Sequence, residues 1–128
     1  MAAAKKRSQC TPEEALRYLQ QYFATVDLIT EALGKYETLA TDAVTASGRS
    51  AFRAQALEAQ RDLELLKNKR RAFLADEGAI KPPSEATVKE AEDRATALAK
   101  ILADEAHATA VITLATKGLE AFNKIHAA

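Results

Sequence analysis

Residues 11–44 decide the fold, and they read TPEEALRYLQQYFATVDLITEALGKYETLATDAV. Thr11 can cap a helix, Pro12 suits the first helical position, and Glu14 completes a capping box. The apolar residues that follow are spaced by three or four: Leu16, Leu19, Phe23, Val26, Ile29, Leu33, Tyr36, Ala40 and Val44. That spacing places them on one face of a helix. We expect one helix from residue 12 to about residue 46, with a break at Gly34 as the alternative.

A second helix is predicted after the turn-like sequence SGRS at residues 47–50. From Phe52 to Phe73 the apolar positions follow a seven-residue repeat, the pattern of coiled-coil packing. Gly78 and the proline pair at residues 82 and 83 end this helix.

The third helix begins at Ser84, and its apolar stripe continues to Phe122 without a stop signal. Short connections between sequential helices make them antiparallel neighbours. We therefore expect an all-α fold, an up-down-up three-helix bundle with long, coiled-coil-like helices. It becomes a four-helix arrangement if the first helix breaks at Gly34.

Composition limits the class of protein. The chain has 128 residues, 18 basic and 18 acidic side chains, 48% hydrophobic residues and a single cysteine. One cysteine excludes a disulfide scaffold or a zinc ribbon. We expect a disordered basic tail over residues 1–10 and one helical-bundle domain over residues 11–128. With no apolar stretch of roughly 20 residues and no signal-like segment, we expect a cytoplasmic protein without a membrane span.

The predicted helices differ in length. If the third runs unbroken from residue 84, the segment from about residue 110 onward extends past the first turn with nothing to cover it. This segment is apolar, and a large exposed apolar patch usually marks an interface. The predicted partner-binding residues are Val111, Ile112, Leu114, Ala115, Leu119, Phe122 and Ile125.

Two alternatives to this projecting segment remain open. Residues 35–46 could fold back over it if the first helix breaks at Gly34, or the end could fray. If the segment is an interface, Leu119→Asp or Phe122→Asp should disrupt association and leave the helix content nearly intact.

The second helix is basic between two acidic ones. Residues 49–71 carry seven basic and three acidic side chains. Complementary charge between neighbouring helices explains this layout. The alternative is an anion-binding surface for nucleic acid, although zero net charge and the lack of interleaved aromatic residues count against it. The residues of that surface are Arg49, Arg53, Lys67, Lys69, Arg70 and Arg71.

No catalytic, cofactor or metal motif is recognisable. His107 and His126 lie too far apart on one helix to share a metal ion, and Cys10 has no neighbouring base. We predict no enzyme, no cofactor and no small-molecule substrate. The expected function is a non-enzymatic protein–protein interaction module, such as an adaptor, chaperone, inhibitor or assembly subunit. It would self-associate as a homo-oligomer or bind a partner through the C-terminal helix; the alternative is a nucleic-acid-associated protein.

Overall fold

The described part of the chain contains four α-helices. The computed structural model describes residues 3–126, and within them no β-strand occurs apart from isolated bridges at Ile80. The helices are α1 (Pro12–Asp42), α2 (Ala46–Leu74), α3 (Glu85–Ala99) and α4 (Ala108–Lys124). The prediction of an all-helical protein is confirmed. None of these helices is both long enough and apolar enough to pass through a lipid bilayer.

Helix α1 begins as its sequence predicts. The Thr11 side chain accepts a hydrogen bond from the Glu14 amide, and the Glu14 carboxylate accepts one from the Thr11 amide. The helix continues through Gly34, which is exposed and has open space where a side chain would lie. The first helix is therefore unbroken at Gly34. The fourth helix arises instead from a break in the predicted third helix.

The first turn lies at residues 43–45, earlier than the predicted residues 47–50. Thr45 caps α2, because its hydroxyl accepts a hydrogen bond from the Gly48 amide at 3.0 Å. The Arg49 guanidinium donates to the Ala43 carbonyl at 3.1 Å, which satisfies a backbone group beyond the end of α1. The SGRS sequence therefore lies inside the first turns of α2.

The prediction of one long third helix is wrong, because the chain leaves the helix after Ala99. The Lys35 ammonium donates to the Ile101 carbonyl at 2.7 Å. Asp104 then accepts hydrogen bonds from the His107 amide and ring, at 3.0 and 2.6 Å. These contacts satisfy backbone groups that a break would otherwise leave unpaired.

Helix α4 folds back along α1 in the antiparallel direction. The Tyr18 and Phe122 ring centroids are 5.6 Å apart, and a Cβ added at Gly118 would overlap Leu28. The segment after residue 110 therefore does not project from the bundle. Instead it covers α1, and the buried residues of the segment include Val111, Ala115, Phe122 and Ile125.

Helix α1 is the centre of the bundle, and each of the other three helices packs against it. Arg17 donates to the Pro83 carbonyl at 2.9 Å, and Lys35 reaches the far end of α3, so α1 and α3 run in the same direction. The contact between α2 and α4 is sparse by comparison.

The N-terminal segment is held against the bundle, contrary to the predicted disorder. The Lys5 and Ile80 backbones exchange two hydrogen bonds, at 2.7 and 2.8 Å. The Lys5 ammonium lies 3.1 Å from the Glu14 carboxylate, and Ser8 donates to Asp76 at 3.0 Å. The predicted disordered tail is therefore wrong for residues 5–10, and residues 1 and 2 lie outside the described part of the chain.

A hydrogen-bonded histidine, His126, joins the segment after α4 to α1. His126 Nδ1 lies 2.9 Å from the Phe122 carbonyl oxygen, which can only accept, so Nδ1 carries the proton. His126 Nε2 is then the acceptor for the Tyr18 hydroxyl at 2.8 Å. Burial lowers the pKa of His126 below its usual value. The hydrogen bond to the Phe122 carbonyl raises this pKa and the positive charge of Lys69 lowers it, and the net change is a decrease. The folded protein therefore favours the neutral imidazole.

We predict that the free energy of unfolding decreases as the pH falls below about 6.5. The unfolded chain takes up the His126 proton near that pH, while the folded chain resists it, so the unfolded state binds more protons. The loss is at most about 1.4 kcal/mol per pH unit and ends once the pH passes the lowered pKa of the folded state. Urea unfolding at pH 7.5 and 5.5 measures it, and His126→Gln should have the smaller pH dependence. Equal dependence in the two proteins would contradict the assignment.

Candidate functional site

A groove lies between α2 and α4, where both helices rest on α1 but diverge from each other. Its volume is about 310 Å³, at the lower end of the range for binding pockets. The floor comes from Ile29, Ala32 and Tyr36 of α1. The wall from α4 includes Ile112 and Leu119. The groove therefore has an apolar floor and apolar side chains on its α4 wall, with polar side chains along the rest of its lining, and no other part of the described chain fills it.

Three carboxylates line the groove: Glu58 and Asp62 from α2, and Glu120 from α4. No basic side chain lines it, and within residues 3–126 none of the three carboxylates forms an ion pair. Burial raises the pKa of Asp62, and the negative charge of Glu58, one helical turn away, raises it further. The groove therefore concentrates negative charge without an internal cation to balance it.

Tyr36 contributes a hydroxyl group to this acidic groove. The residue is only 3% exposed. Burial first, then the charges of Glu58 and Asp62, raise the pKa of Tyr36 to about 12. No hydrogen bond to its hydroxyl occurs in the described part of the chain, so this neutral group can both donate and accept.

One end of the groove is closed by a contact between its two walls. The Lys69 ammonium of α2 donates to the Asn123 side-chain oxygen of α4 at 2.7 Å. Burial lowers the pKa of Lys69. This hydrogen bond joins the two helices beyond the carboxylates and leaves the rest of the groove open.

The predicted partner-binding residues are divided between the core and the groove. Val111 and Phe122 have no exposed surface and belong to the core, together with Ile125, and Leu114 is partly buried against it. The groove is lined by the remaining three: Ile112, Ala115 and Leu119. The sequence therefore identified the helix that forms one wall of the groove, but not the arrangement that exposes it.

The six basic residues of the predicted anion-binding surface do not share one face. Arg49 holds the end of α1, and Lys69 bridges to α4. Arg70 lies over the Tyr22 ring, with its guanidinium carbon 4.9 Å from the ring centroid.

The other three lie on the outside of α2. The Lys67 ammonium is 3.6 Å from Glu64, Arg71 donates to Asn68 at 3.5 Å, and Arg53 is exposed. These six residues therefore provide no concentrated site for a phosphate group.

The residue types that bind metal ions are dispersed in the described part of the chain. Within residues 3–126, no group of three or more histidine, cysteine, aspartate or glutamate side chains is placed to hold a metal ion. Asp104 and His107, which have metal-ligand spacing in sequence, form the cap before α4. The hydrogen bond from His107 lowers the pKa of Asp104.

The groove between α2 and α4 is thus a site in the described part of the chain where apolar surface meets carboxylates that form no ion pair. Sequence reasoning missed Tyr36, Glu58 and Asp62 as site residues. The available signal was the pair of like charges at Glu58 and Asp62, four residues apart, which destabilises a helix unless something offsets it. Comparison with family models, curated proteins and solved structures finds no match for this chain.

Proposed function

We propose that this chain is a non-enzymatic protein–protein interaction module that receives a helix of a partner protein in the groove between α2 and α4. The observation that carries this proposal is the open groove with its apolar floor, walled by two helices that make little contact with each other. An amphipathic helix placed there would pack against three helices at once.

The expected binding is reversible and of moderate strength. Burying one large apolar side chain contributes about 1.5–3 kcal/mol, and a groove of about 310 Å³ accepts only a few such side chains. Association costs at least about 4 kcal/mol in lost freedom of motion. We therefore expect dissociation constants between roughly the millimolar and the micromolar range.

A groove-blocking variant tests the proposal. Thr116 is exposed and lines the groove, whereas Thr113, on the same helix, is exposed and does not line it. Thr116→Trp should remove partner binding because the indole fills the groove. Thr113→Trp, the matched control, should leave binding unchanged. Both variants should keep the parent's free energy of unfolding to within about 0.5 kcal/mol.

The measurement uses photo-crosslinking in an extract of the source cells, followed by titration with the purified crosslinked protein. A partner lost by Thr116→Trp and kept by Thr113→Trp supports the proposal. A partner that binds both variants equally contradicts it. Sedimentation of the parent protein shows whether the occupant is instead a second copy of this chain.

A further inference from the structure

We propose that the groove selects a basic partner helix, and that one lysine or arginine side chain of this helix places its cation among Glu58, Asp62 and Glu120, next to the Tyr36 hydroxyl. The inference rests on the proposed function and adds the chemistry of the partner. It follows from the charge of the groove, the unpaired hydroxyl of Tyr36 and the apolar side chains that line the groove.

The charge of the groove is the first argument. Three carboxylates line it, no basic side chain does, and the described residues provide no ion pair for any of the three. Glu58 and Asp62 lie one turn apart on α2, where like charges repel. A cation inserted from outside would relieve this repulsion, whereas an acidic partner would increase it.

Tyr36 is the second, independent argument. Its side chain is almost completely buried, lines the groove and leaves its hydroxyl without a hydrogen-bond partner in the described chain. The hydroxyl oxygen itself is not among the fully buried unpaired polar atoms of the described chain, so it faces the groove rather than the closed core. An ammonium or guanidinium group in the groove would donate to the phenol oxygen, and the phenol could donate to a carboxylate. The same cation would therefore satisfy Tyr36 and the carboxylates.

The apolar interior is the third argument, because it favours a side chain over a small free cation. Ile112 and Leu119, which are only partly buried, offer surface that suits the methylene stem of lysine or arginine. Such side chains bury their stems and keep their charge at a polar site. A small hydrated ion or a free amine would use the carboxylates but not these side chains.

The test measures peptide binding by the full chain, using three helix-forming peptides of about 15 residues. They share one leucine pattern and carry lysine, glutamine or glutamate at the remaining positions. Two-dimensional amide NMR locates the binding site, and titration gives the dissociation constants. We expect saturable shifts at Ile112, Thr116 and Leu119, and about tenfold tighter binding of the lysine peptide than of the glutamine peptide.

Two matched variants make the test specific to the groove. Asp62→Asn should weaken binding of the lysine peptide about tenfold. Glu64→Gln, which removes an exposed carboxylate outside the groove, should change it less than about twofold. Tyr36→Phe keeps the ring and removes the hydroxyl, and it should weaken binding by about threefold or more.

Each contrary result overturns the inference. If the glutamine or glutamate peptide binds in the groove as tightly as the lysine peptide, the groove binds helices without selecting a cation. That result leaves the proposed function standing, whereas the Thr116→Trp comparison tests the proposed function alone. The inference also fails if no peptide binds, or if Asp62→Asn and Glu64→Gln have equal effects on binding. It fails as well if a second copy of this chain fills the groove, or if lysine amide alone binds as tightly as the lysine peptide.

Discussion

Replacing Phe122 with alanine should lower the free energy of unfolding by about 3–5 kcal/mol. Phe122 has no exposed surface. Its ring centroid lies 5.6 Å from that of Tyr18, 6.0 Å from that of Tyr22 and 4.6 Å from that of His126. Removing the ring loses these aromatic contacts and leaves a cavity between α1 and α4 that the packed core can fill only in part. Urea unfolding followed by circular dichroism measures the change.

The control for this prediction is Phe23, which lies on α1 and is 53% exposed. Phe23→Ala should change the free energy of unfolding by less than about 1 kcal/mol, because much of its ring already contacts water. Equal losses in the two variants would contradict the burial of α4. The sequence-based expectation for Phe122→Asp also changes, since a charge at this buried position should remove helix content rather than only disrupt association.

The second large effect is expected from the two glycines Gly34 and Gly118. Gly118→Ala should destabilise the protein by about 1–3 kcal/mol, whereas Gly34→Ala should stabilise it by up to about 1 kcal/mol. The two variants should therefore differ by about 1–4 kcal/mol. Both are glycine-to-alanine changes inside a helix, so each serves as the control for the other.

The physical reason for the difference is the environment of the added methyl group. At Gly118 it would overlap the Leu28 side chain, which is 1% exposed and cannot move without disturbing the core. At Gly34 no atom lies within 4 Å, so alanine adds its helix propensity without a clash. Thermal and urea unfolding of both variants measure the effects. Stabilisation by both changes would show that α4 does not approach α1 closely at Gly118.

These glycines also show what a single sequence can reveal. The periodicity around each one predicts a helix, and both helices are present. Nothing in the local pattern separates an exposed glycine from one that permits close helix packing, because that difference depends on a residue ninety positions away, Leu28 for Gly118.

The helix break at residues 100–107 was harder to predict than the helix starts. Thr11 and Ser84 cap their helices through contacts three residues away, so the sequence alone predicts them. The break depends on Lys35, which binds carbonyl groups 64 and 66 positions further along the chain. The alanine-rich sequence in this region favours a continuous helix, and the tertiary contact overrides that preference. The capping side chain of Asp104 was the only local signal.

The candidate groove was predictable only in part for the same reason. Ile112, Ala115 and Leu119 were predicted as interface residues because they belong to an apolar segment that no other part of the chain was expected to cover. That reasoning assumed a projecting helix, while the structure has α4 lying antiparallel on α1 and bordering a groove with α2. A prediction that gives α4 the wrong direction cannot place Tyr36 and Asp62 beside it. The site depends on the position of α4 more than on any single residue.

The position of α4 can be measured directly by the distance between spin labels at Gln20 and Lys124, in a Cys10→Ser background. Both residues are exposed, and the contacts of Gly118 with Leu28 and of His126 with Tyr18 bring their helix turns together. Adjacent helices lie about 8–10 Å apart, so with the label linkers we predict a mean distance below about 30 Å. A projecting C-terminal helix would instead separate the labels by about 60 Å, and that result would contradict both the fold-back of α4 and the groove that it forms.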